Sequence, residues 1–290
     1  RAIFPSLAHT IPPPSEDPTF TWVLRPQGGT FLGTIYSDAS RLDGPNPMLA
    51  RNGWAFVVIN AEGEIIAKAQ GVPPNWITDI PGTEAWAILQ AAMLAEPGCK
   101  YRIDCKPCVD AIHWGKSWAT AGGRPLARVF NLIFAAIDEC PADAFVWLPA
   151  HTSASDVGIK CLGDGSVLTS TDREANEAAD LLAKQAANGH RVPRQLRDAV
   201  ASHQAMVVSV AEWVGKATFA ASNWTSVPHK DSQSSALQAA KCRRDRCIPK
   251  ASRKKNAKEA IPPALGGHTL KLRLGKWHCD VCRRTSATHS

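Results

Sequence analysis

The sequence predicts an α/β domain: a mixed five-stranded sheet with helices on both faces, followed by a helical extension and a basic Cys/His-containing tail. Three observations carry this expectation. Three short apolar runs separated by turn residues come first and read as an antiparallel meander. Alanine- and leucine-rich runs then alternate with two further short apolar runs, the pattern of helices crossing over a sheet. A helix with its own start signal closes the region.

Taken in order, Phe31 to Ser40, Gly53 to Asn60 and Glu64 to Gly71 are the meander strands, and Asn60-Ala-Glu-Gly63 reads as a hairpin turn. Thr83 to Glu96 is a helix stopped by Pro97-Gly98, and Tyr101 to Cys105 is a strand. Pro107 to Trp118 and Pro125 to Cys140 are expected helices, and Ala144 to Ala150 the fifth strand. In the last helix Thr171-Asp-Arg-Glu174 fits a capping box. Ala175, Ala179, Leu182 and Ala186 recur there at helical spacing, so they bury one stripe and leave Asp180 at its margin.

Four acidic residues stand out against this frame. Asp38 lies in Thr34-Ile-Tyr-Ser-Asp-Ala-Ser40 and Asp104 in Tyr101-Arg-Ile-Asp-Cys105, both toward the ends of strands; Glu84 and Asp180 lie on helices. Close carboxylates repel by about 4 kcal/mol per pair at an intermediate dielectric. A cluster of four is therefore tolerable when divalent cations neutralise it. Mg²⁺, a hard ion that takes carboxylate and water oxygens and is completed by substrate phosphates, is the expected one.

The order and setting of these residues resemble the ribonuclease H family, in which a strand Asp, a helix Glu, a second strand Asp and a late helix Asp form the active site. Phe145-Val-Trp-Leu-Pro-Ala-His-Thr152 looks like the family's fifth strand running into its active-site histidine, here His151. Arg173 to Lys184 looks like its last core helix, with Asn176 one turn before Asp180 on the same face. The resemblance covers residues 29–190. It implies endonucleolytic hydrolysis of the RNA strand of an RNA/DNA hybrid by two Mg²⁺ ions about 4 Å apart, with Mn²⁺ as a substitute. Asp38 would bridge the ions, Glu84 and Asp104 would flank the scissile phosphate, and Asp180 would complete the site of the attacking water. His151 would move protons or aid product release, and Ser40 and Asn176 would touch substrate. Three departures are visible. Thr78 to Thr83 lacks the amide side chains that many members place before the Glu, Ala119 to Arg124 is too short for the extra basic helix of some members, and Thr152 to Thr171 is an insertion. Asp156 and Asp164 in that insertion read as residues of a solvated loop.

Outside this region the organisation is simpler. Residues 1–28 form a proline-rich spacer, with Thr10-Ile-Pro-Pro-Pro-Ser-Glu-Asp-Pro18 too rich in proline for a helix or central strand. Residue 1 is Arg, which suggests a fragment or an excised region of a longer protein. Residues 191–228 are a helical extension, 229–262 a basic linker, and 263–290 a candidate zinc module. Residues 241–284 hold 14 Lys or Arg and 3 Asp or Glu, a net of +11 against +7 for the whole chain, which leaves −4 elsewhere. The tail, with Arg243, Arg244, Lys254 and Lys255, is thus the candidate grip on a nucleic-acid phosphate backbone, through counterion release. The alternative is a solvated linker.

The nine cysteines fall into two groups. Cys99, Cys105, Cys108, Cys140 and Cys161 are odd in number and unevenly spaced, which predicts reduced thiols and an intracellular compartment, cytoplasm or nucleus. Cys105-Lys-Pro-Cys108 has the form of a thioredoxin-like redox pair, but Asp104 immediately before it already fills the nuclease role. Cys279 and Cys282 have the two-residue gap that lets two thiolates reach one tetrahedral zinc ion, presented by a hairpin over Leu272 to Trp277, with His268, Cys242 and Cys247, or His289 as the candidate remaining ligands. No apolar run approaches the length of a membrane span. The layout resembles part of a retroelement polyprotein with a reverse transcriptase upstream. Other classes remain in view: an integrase- or transposase-like enzyme of the same fold, or a non-catalytic nucleic-acid-binding module.

Overall fold

The computed structural model describes residues 6–137 and 140–224, together with the backbone of three short strands further on. The chain divides into two units, Arg1–Trp213 and Val214–Ser290. The first is built on a six-stranded sheet of strands β1 (Thr21–Leu24), β2 (Thr34–Leu42), β3 (Arg51–Ile59), β4 (Ile65–Gly71), β5 (Lys100–Ile103) and β6 (Phe145–Trp147). Their order across the sheet is β1-β4-β3-β2-β5-β6. Strands β2, β3 and β4 pair antiparallel, and β5 and β6 add in parallel, which is the mixed sheet expected and has the RNase H-like strand order. The sixth strand comes from the proline-rich spacer. Thr21-Trp-Val-Leu24 pairs antiparallel with β4 at the sheet edge, just past the last proline of the run.

Side-chain alternation along β3 shows how the layers form. Trp54, Phe56 and Val58 point to one face, into a core shared with helices α1 (Ile80–Ala92), α2 (Lys106–His113) and α4 (Ala127–Ala136). Ala55 and Val57 point to the other, against Ala179, Leu182 and Ala183 of helix α5 (Ser170–Gly189). Small residues here let the helix lie close to the sheet. Gly53 marks the closest approach, since a Cβ built on it would stand 2.3 Å from the Ala187 amide nitrogen and 2.4 Å from the Ala183 oxygen.

Several boundaries differ from expectation for local reasons. Helix α1 begins at Ile80 rather than Thr83, because the Asp79 side chain accepts from the Gly82 amide at 2.7 Å and Pro81 suits the first turn. The expected helix from Pro107 to Trp118 breaks at Gly115, whose φ of 86° ends α2 and starts the single turn α3 (Lys116–Ala119). The capping box of α5 lies two residues earlier than predicted: Thr169 is the cap and Asp172 answers it. Ala187 rather than Ala186 continues the buried stripe. The segment from Thr152 to Thr171 is not wholly solvated, for Leu162 and Leu168 join Tyr36, Ile59, Val146 and Leu148 in a second core. Its two acids match the expected surface role, with Asp156 bonded to Ser153 and Lys160 and Asp164 to Arg102.

The helical extension is one helix, α6 (Arg194–Ser222). Its Leu196 and Val200 pack with Ile11, Leu49 and Val192, while Met206, Val208 and Trp213 are exposed. No helix among the described residues is long and apolar enough to cross a membrane. In the second unit strands β7 (Leu270–Arg273), β8 (Lys276–Cys279) and β9 (Thr285–Ser286) form an antiparallel sheet, with Leu272 opposite Trp277 as the expected hairpin requires.

Candidate active site

Asp38 and Asp104 meet because of strand register. Strands β2 and β5 run parallel with Ser37 opposite Ile103, so the next residue on each, Asp38 and Asp104, stand side by side where the pairing ends. Glu84, in the second turn of α1, reaches the same place from one face of the sheet. One carboxylate oxygen from each of the three lies within 4.8 Å of the other two. The Ala39 amide holds the group together, facing Asp38 Oδ1 at 2.6 Å and donating to Glu84 Oε1 at 3.0 Å. Glu84 Oε2 is buried with no hydrogen-bond partner.

The electrostatics are those of carboxylates short of countercharge. Burial, and then the charges of Asp104 and Asp180, push Asp38 up to about 8. Burial first, then Asp38 and Asp104, push Glu84 well above the carboxylate range. Asp104 is also raised by burial, against a lowering from Asn176 and His151. Such a group keeps protons until a cation displaces them. Three hard oxygen donors, one a buried orphan, fit a divalent ion of the Mg²⁺ type.

Helix α5 supplies the wall from the opposite face. Tyr36 on β2 donates to Asp172 Oδ1 at 2.7 Å, pinning the start of α5 to the strand that carries Asp38. Asn176 then donates to Asp104 Oδ2 at 3.5 Å, and its own Oδ1 is buried without a partner. Asp180 lies one turn on and lines the same cleft, but outside the three-carboxylate group; it is paired with Lys184 at 2.6 Å. Ser40 and His151 also line this cleft of about 520 Å³. His151 is exposed and takes a left-handed backbone with φ of 51°.

The structure thus brings Asp38, Glu84 and Asp104 together and places Asp180, Asn176, Ser40 and His151 around them. Arg243, Arg244, Lys254, Lys255 and His268 lie outside the described residues, as do the side chains of Cys279 and Cys282. Reading by motif missed other members of the wall: Arg41, Cys105, Arg173 and Lys184. Helical spacing held the signal for two of them. Arg173, Asn176, Glu177, Asp180 and Lys184 recur at three- and four-residue steps, so one stripe of α5 faces the cleft. A surface aromatic group was missed as well. Trp114 packs edge-on against Trp118 at 4.1 Å, and the Arg124 guanidinium covers the Trp118 ring.

No family profile matches the sequence, and no curated protein matches it. Among solved structures, the chain is similar to LC9-RNase H1, a type 1 RNase H with the type 2 active-site motif, at 17% identity over 56% of this chain and 75% of that one, with a TM-score of 0.41. It is similar also to RNase H1 from the halophilic archaeon Halobacterium salinarum NRC-1, at 16% identity over 54% of this chain and 97% of that one, with a TM-score of 0.32. The PFV RNase H domain matches at 16% identity over 56% of this chain and 98% of that one, with a TM-score of 0.36. Strand order and carboxylate geometry, rather than these scores, define what the domain is. It is a mixed α/β domain with an RNase H-like strand order, and its acidic triad could hold a divalent metal ion.

Proposed function

We propose that this chain hydrolyses the RNA strand of RNA/DNA hybrids endonucleolytically, using two Mg²⁺ ions, with Mn²⁺ able to replace them. The observation that carries the reading is the convergence of Asp38, Glu84 and Asp104, from two parallel strands and a helix, on one point within a cleft. When bound, the ions supply an activated water and stabilise the leaving 3′ oxygen. Asp38, Glu84 and Asp104 would hold the ions, with Asp38 as the ligand they would share and Glu84 and Asp104 on either side. Asp180 completes the site of the water, and Lys184 balances its charge meanwhile. His151 takes up or returns a proton at the cleft rim. Ser40, Asn176, Arg41 and Arg173 contact the strand, the arginines through phosphates. The exposed Trp114 offers a stacking surface for a base, and the basic tail adds grip on the backbone.

The experiment is incubation of the protein with end-labelled RNA/DNA hybrid, single-stranded RNA and duplex DNA, each with and without Mg²⁺. Internal cuts in the RNA of the hybrid alone, only with metal, are expected. Equal cleavage of duplex DNA would move the reading to an integrase- or transposase-like enzyme, and cleavage in EDTA would overturn it.

A further inference from the structure

Beside the acidic triad lies a pair of thiols that this chemistry does not use. Cys105 follows Asp104 directly, is part-exposed, and lines the cleft. Cys108, one turn into α2, is 1% exposed, and its Sγ donates to the Pro81 carbonyl at 3.5 Å. Pro81 is in the first turn of α1, three residues before Glu84. The two residues are also joined across the start of α2, the Cys108 amide donating to the Cys105 carbonyl at 3.0 Å. The pair is therefore joined to Asp104 through the chain and to the Glu84 helix through a hydrogen bond.

We infer that Cys105 and Cys108 are a redox modification site, a dithiol that closes to a disulfide and in doing so disables the neighbouring acidic site. The inference rests on the nuclease reading for its consequence but not for its chemistry. Cys105 caps α2 and Cys108 is its third residue, with the Cys108 amide bonded back to the Cys105 carbonyl, so the two side chains are within reach of disulfide geometry after a small shift. Cys105, open to the cleft, is the attacking thiol, and the sheltered Cys108 is the resolving one. The oxidant is a low-molecular-weight disulfide such as oxidised glutathione. The Cys105 thiolate attacks one of its sulfurs, releasing one glutathione thiolate that takes up the proton Cys105 lost. Cys108 then attacks Cys105 and releases the second glutathione with the second proton. Two electrons pass from the pair to the oxidant. Closure brings the two sulfurs to about 2.05 Å of each other. It also removes the Cys108 hydrogen bond to Pro81. The residue bonded to Asp104 and the turn that positions Glu84 move together, and displacement of catalytic groups by about 1 Å costs about 100-fold in rate.

The test equilibrates the full chain in reduced and oxidised glutathione buffers and traps thiols by alkylation. Peptide mass mapping is then combined with hybrid cleavage and with the Mg²⁺-induced rise in melting temperature. The expected result is a Cys105–Cys108 disulfide, with cleavage and the Mg²⁺ response both falling by 10-fold or more and both recovering in dithiothreitol. Cys108→Ala and Cys108→Ser should instead hold a glutathione adduct at Cys105 that no intramolecular thiol resolves. Two alkylatable thiols throughout the redox range, or a disulfide that leaves the Mg²⁺ response unchanged, would overturn the inference. If the reduced protein cleaves no hybrid, the nuclease reading fails, while the mass map and the Mg²⁺ response still decide the dithiol.

Discussion

Asp38, Glu84 and Asp104 stand closer together than carboxylates tolerate without a cation, and that shortage can be measured. In the metal-free protein the folded state holds protons on these groups more tightly than the unfolded chain does, because burial and mutual repulsion raise them. For Asp38 the window runs from the ordinary carboxylate value of 3.8 to about 8. Below it the group is protonated in both states and its burial is tolerated; as pH rises through it, folding must overcome an exposed chain's preference for the charged form, and stability is lost. Metal-free melting temperature should therefore fall between about pH 4 and pH 8 by more in the wild type than in Asp38→Asn. Millimolar Mg²⁺ should reverse the fall, as a ligand of the native state alone. Parallel melting curves for the two proteins would mean that the carboxylates do not form one site. All three were legible in the sequence because each has a distinctive strand or helix setting. Cys105 was set aside because Asp104 explained its neighbourhood, and Arg41 carried no motif at all.

Helix α5 and strand β3 show how one glycine decides where a catalytic wall stands. A Cβ at Gly53 has nowhere to go, for the atoms it meets are the backbone of Ala183 and Ala187 rather than a movable side chain. Gly53→Ala should lift the C-terminal half of α5 and cost about 1–3 kcal/mol in urea or thermal unfolding. Turnover on hybrid should fall as well, since Asp180 and Asn176 ride on the same helix. An unchanged unfolding midpoint would show that the helix yields freely. At the other end, Tyr36→Phe leaves Asp172 without one of its partners and should cost about 1–3 kcal/mol, read in the same way. Elements were legible from hydrophobic period, since β2 to β6, α1 and α5 all lie near where apolar spacing puts them. Ends were less so. The start of α1 and the cap of α5 depend on which of several nearby hydroxyls and carboxylates turns back to the chain, and Gly115 splits a run that remains periodic across it.

At the scale of the whole molecule, charge is divided between residues 1–240, which are net acidic, and a tail that carries +11 over residues 241–284. Deleting residues 241–290 should weaken hybrid binding and flatten its dependence on salt, each lost phosphate contact reducing the logarithmic slope by about 0.9. Turnover at saturating substrate should stay close to that of the full chain. An unaltered slope would reduce the tail to a solvated linker. Edge strand β1 was hidden within a spacer defined by its prolines, because four residues of strand are too short to show a period and gain their place by pairing with β4. The apolar anchors Leu162 and Leu168 were hidden likewise in a polar insertion. The central claim is that the three converging carboxylates carry metal-dependent hydrolysis of hybrid RNA. Its most direct test is single-turnover cleavage of a labelled hybrid by the wild type and Asp38→Asn, at equal circular dichroism, in Mg²⁺ and in EDTA. The account predicts Mg²⁺-dependent cleavage that Asp38→Asn lowers by at least about 100-fold, the scale of losing several kcal/mol of metal-borne charge stabilisation. Wild-type rates in the Asp38→Asn protein, or in EDTA, would contradict it.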